Sequence, residues 1–183
     1  GFHNEFKSTK AIKTLEHTQV LYAEYLRVFR DDPNAYAISY NNALLLIMTG
    51  KYEQAATEFE KVILAKPGGM FADDAAERAV VAYLKSLQLQ ALQVKSEAED
   101  DLSRRELTEK EQRFVSAVDR WMAIVKRRGP NPETAENIPP ARFAAAKIFY
   151  SANHFDEAAK RFTTFVGAHP DHPAPIHHRC GPS

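Results

Sequence analysis

The chain has 183 residues, 44% of them hydrophobic and 26% charged, an ordinary globular composition that excludes disorder as the main state. Lys plus Arg and Asp plus Glu each total 24, so the formal net charge is zero and the bulk attraction that draws basic proteins to nucleic acid or anionic membranes is missing. The longest apolar runs, Ala43 to Met48 and Ala79 to Leu84, fall far short of the roughly 20 residues that a membrane-spanning helix needs.

The opening Gly1-Phe2-His3-Asn4 has neither an initiator Met nor an apolar signal core and reads as a processed product or a piece of a longer chain. From there, Gly and Pro punctuate the sequence at Asp32-Pro33, Gly50, Lys66-Pro67-Gly68-Gly69, Arg128-Gly129-Pro130, Pro139-Pro140, Asn153 and Ala168-His169-Pro170. Between these stops apolar residues recur at i, i+3, i+4 and i+7, as in Tyr52, Ala55, Ala56, Phe59, Val62 and Ile63, and no stretch alternates as a strand would. The spacing predicts an all-α chain with helices over about 7–30, 34–49, 52–65, 71–97, 106–128, 140–151 and 156–167. Asp32 before Pro33 suits a helix start, and Thr108 with Glu111 competes with Ser103 and Glu106 for another, because the first free N–H groups of a helix need acceptors.

Helices that end in proline repeat one another. Leu21, Tyr25, Val28 and Pro33 set a pattern that returns as Ala55, Phe59, Val62, Pro67, as Ala117, Trp121, Ile124, Gly129-Pro130, and as Ala158, Phe162, Phe165, Pro170. The first residue is small in three of the four rows, which suits a close helix crossing, and the aromatic stripe Tyr25, Phe59, Trp121, Phe162 reads as core. The partner helices repeat as well: Asn42, Ala43, Leu46, Gly50, Tyr52 answers to Ala145, Ala146, Phe149, Asn153, Phe155, with Gly50 and Asn153 at the helix-ending position that tolerates a left-handed backbone.

The stretch from Tyr40-Asn41-Asn42-Ala43 through Gly50-Lys51-Tyr52 and Ala55 to Pro67 resembles the tetratricopeptide repeat. Ala43, Tyr52, Ala55, Phe59 and Pro67 match its small, aromatic and proline positions, while Asn42 replaces the family leucine and Ser39 the first aromatic. A second copy runs from Arg142 to Pro170. The Asp-Pro-Asn-Ala-Tyr junction and elongated helices look like the bacterial cell-envelope members of that family, which would place the chain in a periplasm or envelope. The resemblance implies a right-handed solenoid of antiparallel helix pairs: a partial repeat over 1–33, a repeat over 34–67, an expanded pair over 68–132 with a projecting insertion at 84–107, a repeat over 133–170 and a Pro/His-rich tail over 171–183.

No Gly-rich phosphate loop, His-Glu-x-x-His, paired Cys motif or Gly-x-Ser-x-Gly elbow occurs, so an enzymatic reading places the catalytic domain elsewhere. His169, His172, His177, His178 and Cys180 carry ligands suited to zinc, copper or nickel and offer a metal-binding or redox module as the alternative function, although their spacing matches no closed zinc motif. Glu97 to Glu111 interleaves both charges and reads as a solvated helical hairpin tip, and Lys126-Arg127-Arg128 offsets a helix macrodipole in its last turn.

The resemblance further implies that the first helix of each pair lines a concave groove. Tyr40, Asn41, Leu44 and Ile47 hold the groove positions in one unit, Glu77, Arg78, Val81 and Leu84 in the expanded one, and Phe143, Lys147 and Tyr150 in the last. Asn41 matches one position of the family's carboxylate clamp, but Leu44 and Lys147 share the next and no second basic residue follows. An amphipathic helix or extended peptide therefore fits better than a free carboxylate, with Tyr40, Phe143 and Tyr150 as anchors and Asn41, Arg78 and Lys147 as orienting groups. The expected function is a non-enzymatic protein-interaction scaffold, without cofactor, in a larger assembly. Two open ends support this reading, since the first unit lacks most of its partner helix and no polar helix caps the last.

Overall fold

A computed structural model describes residues 2–93, 103–132 and 134–170, with side chains from residue 11 to 90 in the first of these segments. Among the described residues the protein is all-α. Its helices are α1 (Phe2–Val28), α2 (Ala35–Met48), α3 (Tyr52–Ala65), α4 (Ala72–Gln93), α5 (Glu109–Arg128), α6 (Ile138–Ser151) and α7 (Phe155–Ala168), with a 3₁₀ turn at Ala135–Asn137 ahead of α6. Each helix packs on the next in the chain.

Helix boundaries follow local chemistry. Thr108 forms a complete capping box with Glu111, so α5 starts there, and Ser103 with Glu106 loses the competition. Helix α6 starts two residues before the expected 140, because Pro139 and Pro140 sit in its first turn, where no backbone donor is needed. Asp32 stands two residues before the N-cap Asn34, accepting from the Asn34 N–H at 2.7 Å and from Ala35 N–H through its carbonyl at 2.9 Å.

The hairpin α2–α3 is repeated by α6–α7 at a constant offset of 103 residues (35 to 138, 52 to 155, 65 to 168). The two turns match bond for bond. Gly50 (φ 74) and Asn153 (φ 61) take the left-handed conformation, and the following N–H reaches back to the carbonyl five residues earlier, Lys51 to Leu46 at 2.8 Å and His154 to Phe149 at 2.9 Å. This 6→1 bond closes the helix end and sends the chain straight back on itself.

Alternate helices are joined as well. Arg120 of α5 pairs with Glu60 of α3 at 2.8 Å, Lys110 with Glu53 at 2.9 Å, and Arg161 of α7 grips Asp119 of α5 with two bonds of 2.8 Å. On the other side Tyr40 of α2 donates to Asp74 of α4, and Asn137 at the start of α6 donates to Glu77 of α4 at 2.6 Å. Lys51, directly ahead of α3, donates to Gln19 of α1 at 2.8 Å. The helices therefore form two rows, α3/α5/α7 with α1 beside α3, and α2/α4/α6, with the core between them.

Ala55, Ala117 and Ala158 are buried, as the small position of the repeated pattern requires, and Phe59, Val62, Trp121, Ile124 and Phe165 join them. Two expectations need correction. In the first row Leu21 and Val28 are 68% and 52% exposed, because among the described residues no helix covers that side of α1, and Tyr25 and Phe162 at the two ends are only half-buried. The segment 84–107 also does not project as a whole: Leu84 and Leu87 pack against the core, and residues 103–107 lie on the α6–α7 turn. There Arg105 N–H donates to the Ala152 carbonyl at 3.1 Å, Asn153 Nδ2 to the Ser103 carbonyl at 2.8 Å, and Arg104 pairs with Asp156 at 2.7 Å. The turn at Asn153 leaves carbonyls and acids facing outward, and the returning strand of chain satisfies them. Residues 94–102 lie outside the described residues.

Asn42 is 4% exposed and among the described residues its Oδ1 accepts no hydrogen bond, which costs stability because a buried polar group has lost water without gaining a partner. Asn42→Leu is expected to raise the urea midpoint, by about 1–3 kcal/mol of stability. The converse holds at the crossings: Ala55→Leu and Ala158→Leu are each expected to lower stability by about 1–3 kcal/mol through overpacking, and unchanged melting of both would show that the crossings are not close.

Candidate functional site

The row α2/α4/α6 carries all the residues expected to line a groove, and the structure divides them into two parts. Where α2 meets α4, the side chains are engaged with one another. The Tyr40 ring stacks on Phe71 (4.4 Å between centroids, 9° between planes) and meets Phe59 edge-on at 5.8 Å, while its hydroxyl donates to the Asp74 carboxylate. Arg78 Nε donates to the same carboxylate at 2.5 Å. Burial, and then the Asp74 carboxylate beside it, push the Tyr40 hydroxyl up to about 12. Tyr40 is thus a bolt between α2 and α4. Tyr40, expected to anchor a partner, is spent instead on the fold's own packing, and Leu44 and Ile47 likewise rest partly against the core. Asn41 is exposed.

Phe143 is similarly occupied, held between Phe162 at 5.5 Å and Phe165 at 5.7 Å, so it fastens α6 to α7. The part that remains open lies between α4 and α6. Leu84, Leu87, Ala144 and Ile148 line a groove of 300 Å³, with Gln88, Glu111, Lys147 and Ser151 at its rim. α5 touches α6 over a shorter stretch than the other consecutive pairs touch, and among the described residues no helix fills the space between α4 and the second half of α6. Of the expected groove residues, Leu84 and Lys147 meet here, and the exposed Tyr150 stands one turn along α6 from Lys147, edge-on to Phe155 at 5.6 Å. Arg78 lies about 9 Å back along α4 from Leu84, at 1.5 Å per residue.

Leu87, Ala144 and Ile148 were not among the residues expected to face a partner. Each lies beside an expected position, at i+3 from Leu84 or next to Phe143 and Lys147, and only the gap between α4 and α6 separates an apolar groove wall from an apolar core contact. The rim is electrostatically uneven. Glu111 is committed to Arg105 by two bonds of 2.8 Å and to Thr108, whereas Lys147 makes no ion pair among the described residues. A larger hollow of 760 Å³ opens at the start of α3 beside Lys51, Lys110 and Arg113, but Lys110 and Arg113 are already paired with Glu53 and Glu109.

Of the alternative metal residues, His169 packs its ring against Phe165 at 5.5 Å between centroids, and His172, His177, His178 and Cys180 lie outside the described residues. Among the described residues no three His, Cys, Asp or Glu side chains gather to hold a metal ion, and no helix is long and apolar enough to cross a membrane. Comparison with known proteins gives no match to a family model or to a curated protein.

Above the groove, Glu77 is 8% exposed and ties α4 to Asn137. Burial holds its carboxyl above the ordinary value of 4.5, the Asn137 bond opposes that, and Asp74 adds to it. A carboxyl whose proton is held more tightly in the folded chain contributes its full stability below the unfolded value and loses it as pH rises through the folded one. Glu77→Gln keeps an acceptor for Asn137 without the charge. It is therefore expected to unfold at higher urea than the parent protein at pH 7 and at the same urea near pH 4.

Proposed function

We propose that the chain is a tetratricopeptide-like scaffold, a right-handed solenoid of helix pairs that binds a partner helix or extended peptide along the row α2/α4/α6 as part of a larger assembly. The observation that carries the reading is the apolar groove between α4 and α6 beside Lys147, which makes no ion pair among the described residues. Its 300 Å³ takes one or two large aliphatic side chains of a partner. Lys147 at the rim favours an acidic neighbour, and Tyr150 adds an exposed aromatic surface of the kind that carries much of an interface's energy. The repeated turns at Gly50 and Asn153 support the repeat reading, because they show one hairpin built twice from different residues.

The engaged residues have another task in this reading. Tyr40, Arg78 and Phe143 hold α2, α4 and α6–α7 in place, so they shape the binding row without serving as its anchors. Leu44 and Asn41 extend the row towards α2.

The test is a helical peptide with Leu at i and i+4 and Glu at i+3, titrated against the isotope-labelled chain. Shifts are expected to centre on Leu84, Leu87, Ile148 and Ser151; Lys147→Glu should weaken binding at least tenfold with melting unchanged, and Ile148→Glu should weaken it as much while also lowering the melting temperature, because Ile148 rests partly against the core. With zero net charge and an apolar groove, affinity should fall only modestly with salt, unlike a phosphate-contacting surface, which loses about 10³-fold or more over a moderate range. Shifts centred on the outer row α3/α5/α7, or no binding at all, would reject the groove. Tyr40→Ala should instead lower the melting temperature.

A further inference from the structure

Arg142 of α6 takes the place that Ser39 takes on α2, at the offset of 103 residues that relates the two hairpins (35 to 138, 39 to 142). Both stand where an inner helix looks out between two outer ones. Ser39 lines a hollow of 430 Å³ with Leu26 of α1 and Lys61 of α3, and Arg142 lines two, of 260 and 490 Å³, beside α5 and α7. A serine there can rest against water, whereas a guanidinium brings a permanent charge and five N–H donors. Arg142 is half-buried and makes no ion pair or side-chain hydrogen bond among the described residues. Nor does it offset a helix dipole, since it lies in the first half of α6. At about 3.6 residues per turn, Ala144, Lys147 and Ile148 lie on the opposite side of that helix.

The two hollows meet at Met122 and Arg142, which line both. In the smaller one the charges balance without Arg142. Arg161 holds Asp119 with two bonds of 2.8 Å and Glu157 with one of 3.0 Å, and Lys160 stands 4.0 Å from Glu157. The larger hollow has no carboxylate in its lining among the described residues. Met122, Val125, Pro130 and Ile138 make its apolar walls, and Arg142, Lys126 and His169 are its polar groups. Lys126 also makes no ion pair among the described residues, although it sits in the last turn of α5, where a cation is favoured. A hollow of 490 Å³ falls within the range of small-molecule sites, about 300–1,000 Å³, and shares their make-up of apolar walls with a few polar groups to orient the ligand.

We propose that the larger hollow binds a small organic carboxylate with an aliphatic or aromatic body, its apolar part against Met122, Val125 and Ile138 and its carboxylate on the Arg142 guanidinium. A planar guanidinium meets a carboxylate with two parallel bonds, and the half-buried setting screens that pairing less than open surface does. Lys126 adds a second positive charge at the mouth. A phosphate group is the poorer fit, because the apolar walls would face its remaining oxygens and offer them no donor. The site is separate from the α4–α6 groove and does not depend on what binds there.

The probe is octanoate, titrated into the full chain labelled at its methionine methyl groups, with octanol and octylammonium as the uncharged and oppositely charged controls of the same length. Octanoate is expected to move the Met122 signal saturably while Met48 and Met70 stay still, and to bind at least tenfold more tightly than either control. Arg142→Gln should abolish that preference and melt with the parent protein, since the arginine has no protein partner to lose. Absence of a saturable Met122 shift, equal affinity for octanoate and octanol, or a preference that survives Arg142→Gln overturns the proposal. The comparison of ligands on the parent chain decides even if the variant folds poorly. The proposal also falls if Asp171→Asn, beyond the described residues, by itself moves the Met122 signal and admits octanoate where the parent chain excludes it. The chain's own carboxylate would then be the occupant.

Discussion

A helix pair can pack closely only if the chain reverses within a few residues and nothing large stands at the crossing, and the architecture depends on these two conditions together. Gly50 and Asn153 meet the first by accepting a left-handed backbone, which lets the next N–H cap the helix it has just left. Ala55 and Ala158, fully or almost fully buried, meet the second five residues later. Once a hairpin is this tight, its remaining apolar residues form a face that water would otherwise cover, and the next helix must bury it. That need draws α4 onto α3 and α6 onto α5.

The two rows are fastened by different means, which bears on function. The outer row α3/α5/α7 is joined by ion pairs between long side chains, Arg120 with Glu60, Lys110 with Glu53 and Arg161 with Asp119. Such partly exposed pairs set relative position more than they add stability. The inner row is joined by shorter and more buried contacts, Tyr40 between α2 and α4 and Asn137 with Glu77 between α4 and α6. Below the Asn137 bond, α4 and α6 have no further fastening of this kind among the described residues, and there the groove opens. The binding reading and the packing thus share one cause: α6 is held to α4 at its beginning and stands off from it towards its end.

The long connection after α4 is less separate than its charge suggests. Its last residues, Ser103 to Leu107, are hydrogen-bonded to the α6–α7 turn, so the expanded pair and the final pair are tied through backbone as well as through helix packing. A segment rich in both charges can be surface and still be structural, because a tight turn exposes carbonyls and carboxylates that need donors.

For the start of α5 the sequence offered Ser103 and Thr108 alike, but by itself it determined the helices, their ends at Gly50 and Asn153, the small residues at the crossings and the likeness of the α2–α3 and α6–α7 hairpins. These are local properties, set by periodicity, capping chemistry and backbone freedom within a few residues. Which large residues face a partner was decided only by tertiary structure. Tyr40, Phe143 and Tyr150 occupy matching or neighbouring places in the pattern, yet Phe71 and Asp74 engage the first, Phe162 and Phe165 the second, and the third stays in water. Leu21 reads as core by its spacing and is exposed, because burial depends on a neighbour's presence and not on a residue's own period. The groove wall of Leu87, Ala144 and Ile148 has the same origin: an apolar side chain on a helix becomes core or binding surface according to whether another helix reaches it.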